Sequence, residues 1–258
     1  MSLSSGKRQV LLGFTLVPPL LLLFGGYPLA ALITLLLLQL PVVAATLYPH
    51  ATWFGPVLRR LPTARPEVWL TIDDGPSGDT LAFLDLLDEF QARATFFMVS
   101  KRAALHPDLV QAIRQRGHDI GNHSETHPAA SFWALPATAM ARQIGNAQRT
   151  LTSLSGTAPR WFRAVVGHAN PFVAPALAEH GLTRVSWSAR GFDGVSGDVD
   201  RVVARLSRGI KPGAIILLHE GAAHGRSVFI LRRVLEVIAA RGLRTIRATD
   251  VEPPPASY

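Results

Sequence analysis

The chain has 258 residues and no cysteine. Disulfides and thiolate-ligated metal sites are thereby excluded, while the compartment stays open. Acidic residues are also scarce: 18 Asp and Glu face 26 Lys and Arg, giving a formal charge of +8. Such a surplus suits a membrane surface or a polyanion. No helix-turn-helix, zinc-finger or RNA-binding signature accompanies it and the arginines are scattered, so nucleic acid is not an expected partner. Aromatics make up only 8% of residues, yet 48% are hydrophobic. The apolar excess is therefore mostly aliphatic, and it is concentrated at the front of the chain. No internal repeat is present.

Lys7 and Arg8 precede an apolar tract running from Val10 to Leu47. A spanning helix needs roughly 20 apolar residues, and this tract is about twice as long. Pro18-Pro19 is expected to break its first part, and Gly25-Gly26 with Pro28 to mark a turn. Two readings fit. In one, two short helices form a hairpin with both ends in the cytoplasm. In the other, a single helix from Leu29 to Leu47 spans and the domain lies outside. A cleaved signal peptide fits poorly with so long a tract. The flanking Lys7, Arg8, Arg59, Arg60 and Arg65 favour the hairpin, although the arginines could equally meet anionic headgroups. Tyr48, Trp53 and Phe54 have the character of interfacial anchors. The expected layout is a membrane-spanning part at 1–50, a linker at 51–66, a folded domain at 67–250 and a disordered tail at 251–258. The expected location is the cell membrane, with the side of the domain open.

From Glu67 onward, strand-like and helix-like patterns alternate, which predicts a parallel α/β architecture. Strands are expected at Val68 to Ile72, Ala94 to Val99, His118 to Gly121, Trp161 to Val166, Arg184 to Trp187, Ala214 to Leu218 and Leu243 to Ala248. Helical spacing joins Leu81, Leu84, Leu87 and Phe90, then residues around Asp108 to Arg116, then Met140 through Leu154. It recurs at Val199 to Leu206 and at Val228 to Ile238. About seven strands with intervening helices predict a barrel slightly short of the usual eight.

Three stretches could carry chemistry. The apolar run Val68-Trp69-Leu70-Thr71-Ile72 ends in Asp73-Asp74-Gly75-Pro76, delivering paired carboxylates to a strand end, where α/β active sites lie. The plain alternative is a helix-capping aspartate. Adjacent strand residues point to opposite faces, so both acids serve one site only if the strand stops there. His123-Ser124-Glu125-Thr126-His127 follows the third strand, and its histidines at i and i+4 can share one face of a helical turn. Two imidazoles and a carboxylate make a three-ligand metal site with open positions. His219 ends the apolar run Ile215-Ile216-Leu217-Leu218 and taken alone reads as a buried core residue. Convergence of all three stretches on one barrel mouth points to a metal site.

In these motifs the domain from about Glu67 to Asp250 resembles the polysaccharide deacetylase family, a group of carbohydrate esterases. Thr71-Ile72-Asp73-Asp74-Gly75-Pro76, His123-Ser124-Glu125-Thr126-His127 and Leu217-Leu218-His219 match its first, second and fifth motifs in order. The resemblance implies a distorted (β/α)7 barrel, here preceded by an N-terminal transmembrane helix or helical hairpin. It also implies a divalent metal ion, usually Zn2+ with Co2+, Ni2+ or Mn2+ as alternatives, and hydrolysis of an N-acetyl group on an amino sugar. Asp73 becomes the general base, Asp74, His123 and His127 the metal ligands, and His219 the general acid. The oxyanion would form against the metal and a backbone N–H.

Two motifs depart from the family pattern. The third usually reads Arg-x-Pro-Tyr-Gly but here is Arg163-Ala164-Val165-Val166-Gly167. Arg163 is kept and is expected to pair with Asp73. The groove-lining tyrosine is missing, so its role is lost or passes to His168 or Asn170; Gly167 and His168 are the candidate substrate-binding residues here. The fourth usually places an aspartate before a tryptophan, whereas Ser186 precedes Trp187. Asp193 is the candidate substitute as partner of the acid histidine, the alternative being a simple turn with Gly194. Trp187 is expected to wall the acetyl or sugar pocket or to belong to the barrel core. Glu220 and His224 read as supporting loop residues. The expected partners are an N-acetylated amino-sugar polymer or a lipid-linked sugar, and the membrane. The rival readings are a deacetylase or deformylase of a lipid-linked sugar intermediate, and a catalytically degenerate sugar-binding member.

Overall fold

The computed structural model describes residues 5–251. The expectation of a disordered tail falls almost wholly outside that range, and the tail's first residue, Val251, is buried. Helices α1 (Ser5–Phe24) and α2 (Pro28–Leu47) open the chain. Gly26 turns between them at a φ of 84°, and Pro28 takes the first helical position, where a missing N–H costs nothing. The helices fold back on each other, with Leu16, Leu20 and Leu23 facing Ala31, Leu32 and Leu35 across a shared apolar groove. Pro18 and Pro19 lie inside α1 instead of breaking it. Their fixed φ is helical, so the chain continues at the cost of two N–H donors. Among the described residues, α2 is the one helix long and apolar enough to cross a membrane, and Thr15–Phe24 is a shorter apolar stretch.

The domain follows as β1 (Glu67–Gly75), α3 (Thr80–Glu89), β2 (Ala94–Met98), α4 (Ser100–Leu105), α5 (Pro107–Gln115), β3 (Asp119–Asn122) and α6 (Ala137–Ser155). It continues with β4 (Trp161–Phe162), α7 (Val173–Glu179), β5 (Thr183–Arg184), β6 (Ala189–Arg190), α8 (Val199–Gly209), β7 (Ile215–His219), α9 (Ser227–Ala240) and β8 (Arg244–Thr245). The strands run parallel in the order β5-β4-β3-β2-β1-β7-β6, with β8 added to the base of β1. This is the distorted, incompletely closed (β/α) barrel expected from the sequence. β1 shows why. Val68, Leu70 and Ile72 face the helices in the larger core, while Trp69 packs inside the barrel with Phe97, Trp161, Val185 and Ile215. Period-two alternation thus continues, but both faces are buried.

Several strands are shorter than the sequence suggests. β4 stops at Phe162 and β5 at Arg184, each followed by one further residue whose N–H still bonds the neighbouring strand, Arg163 to the Asn122 carbonyl and Val185 to the Phe162 carbonyl. β6, α4 and α7 have no counterpart in the sequence pattern, since elements of two to seven residues carry no readable period.

Residues 51–66, expected as a linker, include a segment that packs into the barrel. Leu58 N–H donates to the Arg184 carbonyl at 3.0 Å, and Ser186 N–H donates to the Leu58 carbonyl at 2.8 Å. Leu61 N–H then bonds the Gly213 carbonyl at 2.9 Å. The segment therefore spans the opening between β5 and β7. Arg184 clamps it by donating to the carbonyl oxygens of Ala51 at 2.5 Å and Gly55 at 3.2 Å. Phe54, buried between α2 and the domain, belongs to the same core as Phe132, Phe162 and Val173. Phe54→Ala should therefore cost about 3–5 kcal/mol in denaturant unfolding of the domain, whereas Ala64→Ser at an exposed position should stay within about 0.5 kcal/mol. Equal and small effects would mean that this segment is a free tether.

Candidate active site

The site begins at a defect in β1. Asp73 pairs with Phe97 and Gly75 with Met98, which leaves Asp74 bulged out of the ladder at a φ of 74°. The strand does not stop at the carboxylates, the condition that alternation sets for both acids to share a site. It bulges, and the bulge turns both acids to one side. Gly75 is required here because a Cβ would meet Glu220 Oε1 at 1.9 Å. Glu220 accepts hydrogen bonds from Ser77 Oγ at 2.8 Å and from Thr80 Oγ1, fixing the turn into α3. Burial raises its carboxyl to about 7 against the pull of those hydroxyls.

The histidine pair is built by a loop and not by the helical turn that its spacing predicts. Ser124 and His127 are left-handed, at φ 73° and 55°. Asn122 Oδ1 accepts from Ser124 N–H at 3.0 Å, and Ser124 Oγ accepts from His127 N–H at 3.1 Å. Such side-chain bonds replace helical ones. His123 Nδ1 lies 2.9 Å from the Arg163 carbonyl, which leaves Nε2 pointing at the acids. Its Nε2 is 3.5 Å from Asp74 Oδ1 and 3.8 Å from Asp73 Oδ2, while His127 Nε2 is 3.1 Å from Asp74 Oδ1. One potential ligand atom from each of Asp74, His123 and His127 lies within 4.8 Å of the others. Asp74 Oδ1 is buried and accepts no hydrogen bond. A lone carboxylate oxygen facing two imidazole nitrogens, one oriented by a backbone carbonyl, fits a divalent cation of the zinc type.

Arg163 lies below this cluster inside the barrel. Fully buried, its Nη1 donates to Asp73 Oδ1 at 2.8 Å and to Thr71 Oγ1 at 2.7 Å. Nη2 donates to the Ser186 carbonyl at 3.0 Å, and the guanidinium rests 4.3 Å from the centre of the Phe97 ring. Burial lowers its pKa and the charge of Asp73 raises it, the balance lying below the ordinary value.

His219 ends β7 opposite Asp73. Asp193 Oδ2 accepts from His219 N–H at 2.6 Å and lies 3.2 Å from its Nδ1. His224 Nε2 donates to the Asp193 carbonyl at 2.6 Å and steadies the loop. Burial depresses the imidazole, but the carboxylates of Asp193, Asp73 and Asp74 overcome this and raise it to about 9. Burial raises the Asp74 carboxyl, and the close approach and charge of His123, with the charges of His127 and His219, more than reverse that, so it lies far below the usual range. Burial and the charge of His123 lower His127. His123 lies above its ordinary value because Asp73 and Asp74 outweigh burial.

Asp73, Asp74, His123, His127, His219, Gly167 and Trp187 all border one cleft of about 230 Å³. His168 does not. Val166 and Gly167 turn the chain at φ 55° and 80°, which presents their own atoms to the cleft in place of the imidazole. Asn170 instead bonds the carbonyl oxygens of Leu135 and Trp133. The cleft also contains Arg190, Phe192 and Val195, which the sequence reading passed over. Their only signal was a position between Trp187 and the loop carrying Asp193.

Residues 60–185 match the sequence model of the family described as Polysaccharide deacetylase. A chitooligosaccharide deacetylase of Bradyrhizobium sp. is 37% identical over 161 residues, 62% of this chain and 73% of that protein. A peptidoglycan-N-acetylglucosamine deacetylase of Bacillus cereus is 29% identical over 201 residues, 76% of this chain and 93% of that one. Among solved structures, a family 4 carbohydrate esterase from Streptomyces lividans in complex with acetate superposes with a TM-score of 0.63 at 32% identity. That match covers 71% of this chain and 93% of the esterase.

Two stability measurements follow from the buried charges. Arg163→Ala should cost about 3–5 kcal/mol in chemical unfolding, because it strands Asp73 without its partner. The raised pKa of His219 stabilises the fold fully below its ordinary 6.5 and loses that contribution as pH rises through about 9. Asp193→Asn should flatten the pH dependence of unfolding over that window. An unchanged slope would show that the two groups are not coupled.

Proposed function

The chain belongs to the polysaccharide deacetylase family, and we propose that it is a hydrolase removing N-acetyl groups from an amino-sugar substrate. The observation that carries this reading is the meeting of Asp73, Asp74, His123, His127 and His219 in one cleft. Relatives named as chitooligosaccharide and peptidoglycan-N-acetylglucosamine deacetylases support an N-acetylated amino sugar as the substrate class. Polymer and lipid-linked forms both present that amide.

Asp74, His123 and His127 would hold a divalent cation, with zinc the expected ion and cobalt, nickel or manganese as alternatives. Such a cation polarises an amide carbonyl and lowers the pKa of a water molecule. Asp73 is the general base. Its Oδ1 is occupied by Arg163, so Oδ2 is the oxygen left to take the proton of the attacking water. Arg163 positions this carboxylate and fixes which oxygen faces the cleft. His219 is the general acid, and a pKa raised to about 9 keeps it protonated at neutral pH. An amine leaves poorly without a proton, and His219 supplies it. Asp193 orients that imidazole, and Gly194 lies flush against it, where a Cβ would stand 3.2 Å from His219 Cγ. Trp187 and the Gly167 backbone wall the pocket for the acetyl group or sugar ring. The α1–α2 hairpin, with its leucines largely exposed, is the proposed membrane anchor.

Amine release from acetylated chitooligosaccharides, peptidoglycan fragments and lipid-linked sugars, with and without chelator, tests this reading. Asp73→Asn should lower turnover by about 10²–10⁴-fold while metal content is unchanged. Retained turnover would overturn the base assignment. Chelation should abolish activity and zinc should restore it. The alkaline limb of the pH–rate profile should lie near 9 and move toward 6.5 in Asp193→Asn. An unmoved limb would remove His219 as the acid.

A further inference from the structure

Arg190, at the end of β6, reaches the same cleft. Among the described residues it has no ion-pair partner, and its Nε is buried without a hydrogen bond. Its guanidinium is held by rings alone, 4.3 Å from the centre of Phe192 and 5.0 Å from that of Trp187. The acids whose charges reach it, Asp193 and Asp73, are engaged by His219 and Arg163. A rigid donor fork left free beside a reaction centre fits an oxyanion.

The mouth of the cleft shows what else the substrate carries. Val166 and Phe192 line it, are 41% and 45% exposed, and have positive φ of 55° and 66°. For a β-branched or bulky residue that backbone is costly, and such strain gathers at ligand sites. Val195 beside them is 84% exposed. These apolar side chains are exposed at the mouth, and Val166 immediately precedes Gly167, which packs against the exit of α2. A Cβ on Gly167 would come within 2.6 Å of Pro49, the second residue after that helix, and 2.7 Å of Trp187. Ala169 N–H donates to the Thr46 carbonyl, inside the last turn of α2, at 3.0 Å. The cleft wall and the end of the apolar hairpin are thus one packed unit, so the anchor proposed above would bring the cleft to the bilayer surface.

Resting on the deacetylase reading above, we propose that Arg190 binds a phosphate of an amphiphilic amino sugar, whose lipid chain passes over Val166, Phe192 and Val195 toward α2. The substrate class is therefore a lipid phosphate-linked N-acyl amino sugar and not a neutral polysaccharide. The reaction class that supplies it transfers an amino-sugar phosphate to a lipid carrier.

Calorimetric titration of the full-length, detergent-solubilised chain tests this without requiring turnover. The probes are N-acetylglucosamine, N-acetylglucosamine 1-phosphate, N-acetylmuramic acid and a farnesyl diphosphate-linked N-acetylglucosamine. The phosphorylated sugar should bind about tenfold or more tighter than the neutral one, as a charge-assisted hydrogen bond allows, and the prenylated probe tighter again. Arg190→Gln should erase the phosphate advantage and Arg190→Lys should keep part of it, with melting temperatures reporting whether each variant is folded. Equal binding of neutral and phosphorylated sugars would overturn the proposal, as would a phosphate advantage that survives in Arg190→Gln. Preference for the carboxylate of N-acetylmuramic acid would overturn the phosphate assignment, and no gain from the prenyl chain would overturn the lipid half. Loss of amine release with Arg190-dependent binding intact would count against the deacetylase reading alone.

Discussion

A fully buried arginine determines where the chemistry of this fold can occur. Arg163 leaves β4 just as that strand ends, enters the barrel interior and meets Asp73, Thr71 and the Ser186 carbonyl. Taking a guanidinium and a carboxylate out of water is expensive unless each satisfies the other. Once buried, the pair cannot easily move, so Asp73 has one orientation and one free oxygen. The Arg163 carbonyl holds His123 as well. One residue therefore positions both the carboxylate proposed as base and an imidazole proposed as ligand, with its side chain acting from below and its backbone from the side.

Above that fixed floor, the functional groups sit on backbone that regular structure would not supply. Asp74, Ser124, His127, Val166 and Phe192 all have positive φ, and none is glycine. Each such residue costs conformational energy that the surrounding packing must offset. What that cost achieves is direction. The bulge turns Asp74 toward two imidazoles, the loop brings His127 back over the strand end, and the turn at Val166 exposes Gly167 to the cleft. Parallel strands buried on both faces provide a rigid base for such local departures, and the loops at their ends carry the variation.

The parts of this arrangement that were legible in the sequence are those written in local pattern. The apolar runs of β1, β2 and β7, the amphipathic helices α3, α6 and α9, and the order of the acid and histidine motifs all specify their neighbourhoods directly. The geometry that joins them is less visible. A bulge leaves no periodic trace, so Asp73 and Asp74 predict a strand end when the strand continues. His123 and His127 have helical spacing but sit in a loop held by Asn122, Ser124 and Gln143. Arg190 could not be told from a scattered surface arginine, because its isolation within a cleft is a property of tertiary structure alone. The segment from Ala51 to Leu61 likewise reads as part of a linker until its backbone is seen to bridge the barrel opening.

The hairpin and the domain are coupled in the same physical sense. Thr46, Pro49 and Phe54 tie the end of α2 to the cleft wall and its core, so an anchor inserted through those helices would fix how the site faces the bilayer. The central claim remains that Asp74, His123 and His127 hold one catalytic cation beside Asp73 and His219. Anomalous diffraction from zinc-loaded crystals of the full chain tests it most directly. It should show one strong peak bounded by Asp74, His123 and His127 at roughly 2.0–2.2 Å. A peak at other residues, or stoichiometric zinc with no peak in this cleft, would contradict the account.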